Sequence, residues 1–327
     1  MTRTDFLMDI QGVKKYFYPS RTIYWEKPDP VRAVDLVSLQ VASGKTLGLV
    51  GESGCGKSTL AKMIMGIEAP TAGKIFFAGK DMSLFSRAEK KDFRREVQMV
   101  FQDPYASLNP RQSAGKTIGE PLVLQKKRPS HVIREEVTWL MKQVGLTENQ
   151  AHRYPHEFSG GQRQRIGIAR AIALRPRLIV ADEPVSSLDV SIQAQILNLL
   201  KDLQEELRLT YLFISHNLAV IRYMSDYVAV MHLGRIVEAG TREAIFNDPR
   251  HPYTKLLMAS VLDPYVTKAK SGRVKGREEI SRRDACRFYW RCSEADEGCK
   301  NAAEPELVQL GDGHSVACHR VNVCAGG

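Results

Sequence analysis

The chain has 327 residues, of which 43% are hydrophobic, so it can bury a sizeable core in one large or two ordinary domains. It has no run of about 18 apolar residues and no apolar region after its first residues, so the sequence predicts neither a membrane-spanning helix nor a signal peptide and favours the cytosol. The net charge of +10 permits anionic partners, but no aromatic residues alternate with the basic groups as a base-stacking surface requires, so a solvated basic face is the simpler interpretation.

The first part of the chain, residues 6–50, has the pattern of β-strands interrupted by a Pro-rich loop at residues 18–30. Phe17 follows the first of these strands, where an aromatic ring is able to stack on a purine base. An ordinary aromatic side chain at a sheet edge is an equally good interpretation of Phe17.

A glycine-rich loop then follows the short apolar run 46–50 and precedes a predicted helix at 60–65. This order of strand, loop and helix is the context in which the pattern G-x-x-x-x-G-K-[ST] binds phosphate through backbone N–H groups. Lys57 can reach the β- and γ-phosphates, and the hydroxyl of Ser58 is suited to Mg²⁺. The predicted nucleotide-binding residues of this loop are Gly51, Glu52, Ser53, Gly54, Cys55, Gly56, Lys57, Ser58 and Thr59.

A later predicted strand, 97–101, is followed by Gln102, whose place at the C-terminal end of a core strand would let it face a nucleotide. Residues 105–157 change in character, and apolar residues at helical spacing between 133 and 144 predict a mostly helical insertion. For Gln102 alone, a turn or capping role is the commoner alternative.

A second anion site is predicted where Ser159, Gly160, Gly161 and Gln162 open a strongly helical run. Ser159 is a good N-cap, and the two glycines expose backbone N–H groups at a helix N-terminus. A plain capped helix start is the alternative, but two such helix starts in one chain are less expected by chance.

Two carboxylates end the buried strand predicted at 178–183. Asp182 suits Mg²⁺ coordination, and Glu183 can polarise a water for in-line attack on the γ-phosphate. An acidic turn without function is the alternative, which the phosphate loop disfavours. His216 ends the next predicted strand, 210–215, where it would be able to contact the γ-phosphate.

In combination, these residues resemble the ATP-binding cassette (ABC) family of transporter ATPases over residues 6–262. The resemblance implies an α/β fold: a P-loop NTPase core with an antiparallel β subdomain, a helical subdomain at about 105–157 and a small Cys-rich C-terminal extension. It implies a nucleotide-binding domain at 1–262, a basic linker at 263–283 and a Cys-rich region at 284–327.

The same resemblance assigns a role to each motif. Residues 51–59 look like the Walker A loop and 159–162 like the signature loop, with Phe158 where many members have Leu. By the resemblance, the remaining roles are the Q-loop glutamine at Gln102, the Walker B aspartate at Asp182, the catalytic glutamate at Glu183, the D-loop aspartate at Asp189, the switch histidine at His216, the adenine-stacking aromatic at Phe17 and the Mg²⁺ ligands Ser58, Gln102 and Asp182.

Members of the family pair head to tail, and each ATP lies between one chain's Walker A loop and the other's signature loop. The resemblance therefore implies a second ATPase subunit, either a sister chain or a copy of this one, and two membrane permease subunits gripped by the helical insertion. It also implies an extracytoplasmic substrate-binding protein that acts indirectly, no nucleic acid, and a peripheral place on the cytoplasmic face of the inner membrane.

The C-terminal part resembles one group within the family, the dipeptide/oligopeptide (and nickel) importer ATPases. It carries the stretch His251-Pro252-Tyr253-Thr254 followed by a Cys-bearing extension. Some members hold a 4Fe–4S cluster there on four cysteines, which match Cys286, Cys292, Cys299 and Cys318. Structural zinc and free thiols remain open, although the usual C-x2-C spacing for zinc is absent, and Cys324 lies outside the pattern.

The sequence thus predicts an ATP-hydrolysing subunit that powers peptide import through separate membrane subunits. Nickel or another small solute is an alternative cargo. A cassette ATPase acting on nucleic acid or ribosomes is a second alternative, but such proteins carry two cassettes or a long coiled coil. An inactive partner cassette is disfavoured because Glu183 and the signature loop are intact.

Overall fold

The computed structural model describes residues 6–18, 29–103, 105–125, 129–262, 285–311 and 313–322. Its strands are, in chain order, β1 (Phe6–Phe17), β2 (Val31–Ala42), β3 (Thr46–Val50), β4 (Ala72–Phe77), β5 (Lys80–Asp81), β6 (Val97–Val100), β7 (Leu178–Asp182), β8 (Thr210–Ser215), β9 (Tyr227–His232), β10 (Arg235–Thr241), β11 (Val308–Gly311) and β12 (His314–Val316). The predicted linker at 263–283 and Cys324 lie outside the described residues.

The α-helices follow the same order. They are α1 (Lys57–Ile64), α2 (Arg87–Glu96), α3 (Ala114–Leu124), α4 (Ser130–Gln143), α5 (Gly160–Ile172), α6 (Val190–Leu207), α7 (Leu218–Met224), α8 (Arg242–Asn247), α9 (Pro252–Leu262), α10 (Glu297–Asn301) and α11 (His319–Asn322). Short 3-10 helices occur at Met82–Leu84, Glu148–His152, Pro155–Glu157 and Tyr289–Arg291. Strands and helices together confirm the predicted α/β class. Among the described helices, none combines the length and apolarity that crossing a membrane requires.

Contacts divide the chain into two compact units. The first takes its described residues from the ranges 6–8, 41–46 and 77–214, and the second from 9–40, 47–76 and 215–322. The chain passes between them several times, so neither unit is a single stretch of sequence.

The first unit is built on the parallel strands β6, β7 and β8, which are neighbours in that order. The register pairs Val100 with Ala181 and Asp182 with Ile214. Residues 178–181 of β7 and all of β8 are buried, which explains their nearly continuous apolar sequence: both faces of such a strand are covered.

Helices α3, α4 and α5 of the first unit pack against one another. The stripe predicted on α4 forms as expected, with Val137, Leu140 and Met141 buried on one face. Described residues between 105 and 157 form helices and turns without a strand, and this is the stretch for which an insertion is predicted.

The second unit contains most of β1, β2 and β4, in the order β2-β1-β4, and a further set of strands in the order β3-β9-β10-β12-β11. In this set, β3 runs parallel to β9, and the pairs β9–β10, β10–β12 and β11–β12 are antiparallel. The Cys-bearing C-terminal segment therefore extends the sheet that carries β3, because Val316 of β12 pairs with Glu238 of β10.

Glu238 connects three parts of the second unit from a fully buried position. Its carboxylate accepts hydrogen bonds from the backbone N–H groups of Arg250 and His251, at 2.7 and 3.0 Å. His314 Nε2 of β12 lies 2.8 Å from the same carboxylate. A buried charge is tolerated only with partners of this kind.

We predict that Glu238→Ala lowers the free energy of unfolding by about 2–4 kcal/mol, because it leaves buried donors without an acceptor. Chemical denaturation of the purified chain measures this change. Glu243→Ala is the control, since it removes a carboxylate paired only with the exposed Arg242 and is expected to change stability little. Equal stability of the two variants would contradict the buried role of Glu238.

Candidate functional site

The glycine-rich loop lies between β3 and α1 in the second unit, as predicted. Gly56 precedes α1 with a φ of 111°, and a Cβ there would lie 2.1 Å from the Ala33 carbonyl oxygen. A Cβ on Gly51 would meet the Met231 carbonyl oxygen at the same distance. Only glycine fits these two positions. As the N-cap residue of α1, Gly56 has no side chain that could cap the N–H groups of the first helical turn.

Lys57 points back into this loop. Its Nζ donates hydrogen bonds to the carbonyl oxygens of Gly51 and Glu52, at 2.8 and 2.9 Å, and the residue is only 5% exposed. The Gly234 N–H donates to the Cys55 carbonyl at 2.8 Å and ties the loop to the turn after β9. A cation at a helix N-terminus, where the first N–H groups have no partner within the helix, is an arrangement that favours an anion.

Glu52 is held from two sides by residues for which the sequence predicted no role at the loop. Its backbone N–H donates to Tyr253 Oη at 2.9 Å. Its carboxylate accepts two hydrogen bonds from the Arg291 guanidinium, at 2.8 and 2.7 Å, and these bonds are the main reason that the pKa of Glu52 is lowered. The contacts join residues 201 and 239 positions apart, so no local pattern signals them.

Phe17 and His216 also belong to the second unit. Phe17 ends β1 and is 41% exposed, and Lys15 Nζ lies 5.2 Å from its ring centroid. His216 is exposed directly after β8. Both side chains are accessible to a ligand, and their predicted roles stay predictions.

The first unit brings Gln102 and Glu183 together. Gln102 Nε2 donates to Glu183 Oε2 at 3.0 Å, although 81 positions separate them. Glu183 has a φ of 48°, a left-handed conformation that costs a non-glycine residue energy, and its N–H is held by the Ile214 carbonyl at 2.9 Å. Asp182, at the end of β7, is half-buried just before this turn.

Ser159 forms the predicted N-cap of α5. Its Oγ accepts from the Gln162 N–H, and Gln162 Oε1 accepts from the Ser159 N–H, at 3.3 and 3.0 Å. A Cβ on Gly161 would lie 2.5 Å from Ile192 Cγ2, so the glycine lets α5 approach α6 closely. Phe158 is 3% exposed, which explains why an apolar residue precedes the cap. The capped helix start is confirmed, and the anion site stays a prediction.

The four cysteines of the predicted cluster are free thiols, of which Cys299 and Cys318 are buried and Cys286 and Cys292 half-buried. Burial is the largest cause that raises the pKa of Cys286 to about 11, with smaller contributions from negative charge on Glu304, Cys318 and Cys292. Burial and neighbouring thiolates also raise the pKa values of Cys292 and Cys299.

The described residues nevertheless contain no group of three or more His, Cys, Asp or Glu side chains placed to hold a metal ion. The thiols thus have the right chemistry for an iron–sulfur cluster, but their arrangement does not support the predicted one.

Two family models match the sequence. The model described as ABC transporter matches residues 34–186, and the model described as oligopeptide/dipeptide transporter, C-terminal region, matches residues 237–299.

Similar proteins cover nearly the whole chain. The dipeptide transport ATP-binding protein DppF of Haemophilus influenzae is 47% identical over 323 residues, which are 97% of this chain and 97% of that protein. The oligopeptide transport ATP-binding protein AppF of Bacillus subtilis is 46% identical over 325 residues, 96% of this chain and 97% of that protein.

Solved structures share the fold. CbiO1 of Clostridium perfringens, part of the ABC transporter complex cbiONQ, matches with a TM-score of 0.65 and 25% identity over 81% of this chain and 98% of its own. The ATP-binding cassette MJ0796, in a dimeric post-hydrolysis state bound to ADP and Pi, matches with a TM-score of 0.63 and 27% identity over 72% of this chain and 98% of its own.

We predict that Gly161→Ala destabilises the chain by about 1–3 kcal/mol, because the added methyl group overlaps Ile192. Gly167→Ala is the matched control in the same helix: its Cβ meets nothing within 4 Å, so the substitution should be neutral or stabilising. Chemical denaturation of both variants measures the difference. The same small effect for both would mean that α5 and α6 do not need the glycine.

Proposed function

The chain belongs to the ATP-binding proteins of ABC peptide transporters, and from this premise we propose that it hydrolyses ATP to drive the import of peptides through separate membrane subunits. The observation that carries the proposal is the extent of the similarity: it includes the C-terminal region specific to oligopeptide and dipeptide transporters as well as the cassette itself.

In the proposed reaction, the loop between β3 and α1 binds the phosphates of ATP. Its backbone N–H groups and the ammonium group of Lys57 neutralise the β- and γ-phosphates. Phe17 stacks on the adenine. The Ser58 hydroxyl and the Asp182 carboxylate, with Gln102, are the oxygen donors that would hold Mg²⁺. When bound, Mg²⁺ would neutralise charge that develops on the phosphate oxygens during transfer.

Glu183 acts as the general base in this proposal. It takes a proton from the attacking water, a bond forms from that water's oxygen to the γ-phosphorus, and the bond to the ADP oxygen breaks. The hydrogen bond from Gln102 supports this role because it fixes the carboxylate beside the end of β7. His216 would contact the γ-phosphate and complete the site.

The signature loop would act on a second subunit. The N-terminus of α5, with Ser159, Gly160, Gly161 and Gln162, would bind the ATP held by the partner's phosphate loop. The solved cassette MJ0796 supports this proposal because it is dimeric in a state bound to ADP and Pi. The partner is a second ATPase subunit, either a sister chain or a copy of this one.

We further propose that the chain works peripherally on the cytoplasmic face of the inner membrane, where residues 105–157 contact two permease subunits served by a substrate-binding protein. Relatives named for dipeptide, oligopeptide and di/tripeptide transport favour peptides over nickel or another small solute. They also favour transport over action on nucleic acid or ribosomes.

The four cysteines carry a separate proposal, a 4Fe–4S cluster. Support comes from the chemistry of the side chains, because all four cysteines are free thiols of the C-terminal segment and cysteine thiolates are the ligands of such clusters. Binding would require the thiols to lose their protons and the side chains to turn toward a common point.

We predict that Glu183→Gln lowers ATP turnover by at least about 100-fold, because it removes the general base, and leaves ATP binding intact. Phosphate release and nucleotide binding are measured on the same preparation. Glu206→Gln, on the exposed face of α6, is the control and should keep normal turnover. Normal turnover in Glu183→Gln would remove this residue from the proposed role.

For the cysteines, we predict about four iron and four acid-labile sulfide per chain after anaerobic purification, with absorbance near about 400 nm. Replacing Cys299 by Ser should abolish both, whereas replacing Cys55, a buried cysteine of the phosphate loop, should leave the iron content unchanged. One zinc per chain, or no metal, would contradict the proposed cluster.

A further inference from the structure

We propose that Arg291, in the C-terminal segment, is a positioning residue for the phosphate loop and acts through Glu52. It neutralises the carboxylate of that loop residue and holds it in place, so that the loop accepts a polyphosphate. The inference rests on the nucleotide-binding role proposed above for the same loop.

Arg291 and Glu52 form a bidentate ion pair. Arg291 donates from both terminal nitrogens to the two oxygens of Glu52, at 2.8 and 2.7 Å. This geometry is stronger and more directional than a single charge contact. Each side chain retains 42% of its exposure, so water and salt screen the pair in part.

The backbone of Arg291 is held next to a buried residue, Phe288. It ends the 3-10 helix Tyr289–Arg291, and its N–H donates to the carbonyl of Phe288 at 3.0 Å. The Phe288 ring is 3% exposed and lies 5.4 Å from the ring of His232 and 5.5 Å from that of Tyr253. The Arg291 guanidinium lies 5.8 Å from the centroid of this anchored ring, a contact that helps to orient it toward Glu52.

The effect on the loop passes through Glu52. The residue's backbone N–H is bound by Tyr253 Oη, and its carbonyl oxygen accepts from Lys57 Nζ at 2.9 Å. Glu52 thus contacts Lys57 of the loop and also Tyr253 and Arg291 of the C-terminal half of the chain. Without Arg291, the Glu52 carboxylate would lose its paired charge within the loop proposed to bind phosphate, and like charges at this range repel.

A double-mutant cycle tests the inference on the full chain, with Mg·ADP as the probe because ADP is not hydrolysed. We expect Arg291→Gln to weaken ADP binding by about 3- to 10-fold and to raise the KM for ATP by a similar factor, with kcat within about 2-fold of the parent value. In the Glu52→Gln background, adding Arg291→Gln should weaken ADP binding by no more than about 2-fold, because the repelling charge is already gone.

Arg320→Gln is the matched control. Arg320 lies in the same segment, pairs with Asp296 at 2.7 Å and has similar exposure, but its partner is not in the phosphate loop. Its removal should leave ADP binding unchanged. Thermal unfolding of every variant checks that the segment stays folded, and added salt should narrow the difference between Arg291→Gln and the parent chain.

The outcomes separate this inference from the proposed function. Unchanged ADP binding in Arg291→Gln overturns it, and so does an Arg291→Gln effect that is as large in the Glu52→Gln background as in the parent chain, since Arg291 would then not act through Glu52. If instead the parent chain fails to bind ADP, or Lys57→Ala binds it equally well, the role of the loop itself is wrong.

Discussion

The backbone path of the glycine-rich loop between β3 and α1 is the tightest constraint at the candidate site of the second unit. Gly51 and Gly56 pass so close to the carbonyl oxygens of Met231 and Ala33 that a single Cβ at either place would overlap them. The loop is therefore pressed against the end of β9 and against β2, and Lys57 is folded onto its carbonyls. These contacts fix the loop backbone and one ammonium group in place, an arrangement that would reduce the entropic cost of the phosphate binding proposed for this loop.

The first unit supplies a second kind of constraint. Glu183 follows β7 in a left-handed conformation, and its backbone is held by a strand partner while its carboxylate is held by Gln102. A strained backbone conformation of this kind persists only where surrounding contacts hold it in place, and it is typical of functional positions. The turn fixes the direction of a carboxylate that follows an otherwise apolar strand.

The C-terminal segment is part of the second unit's architecture. β12 continues the sheet beside β10, Glu238 links β10 to His314 and to the start of α9, and Phe288 packs among aromatic rings. Arg291 follows directly from this packing and reaches the phosphate loop. Arg291, which lies within the match to the oligopeptide/dipeptide transporter C-terminal model, thus contacts the glycine-rich loop between β3 and α1.

The α/β class, the strand–loop–helix context of Lys57 and the capped start of α5 could be predicted from the sequence, because each depends on neighbours in the chain: glycine conformation, apolar period and capping chemistry. Local patterns say nothing about which distant side chains meet. The folded chain was needed to show that Gln102 contacts Glu183, that Tyr253 and Arg291 hold Glu52, and that the four cysteines do not form a ready metal site. Those outcomes depend on how strands far apart in the chain are placed side by side, and the packing of the whole unit sets that placement.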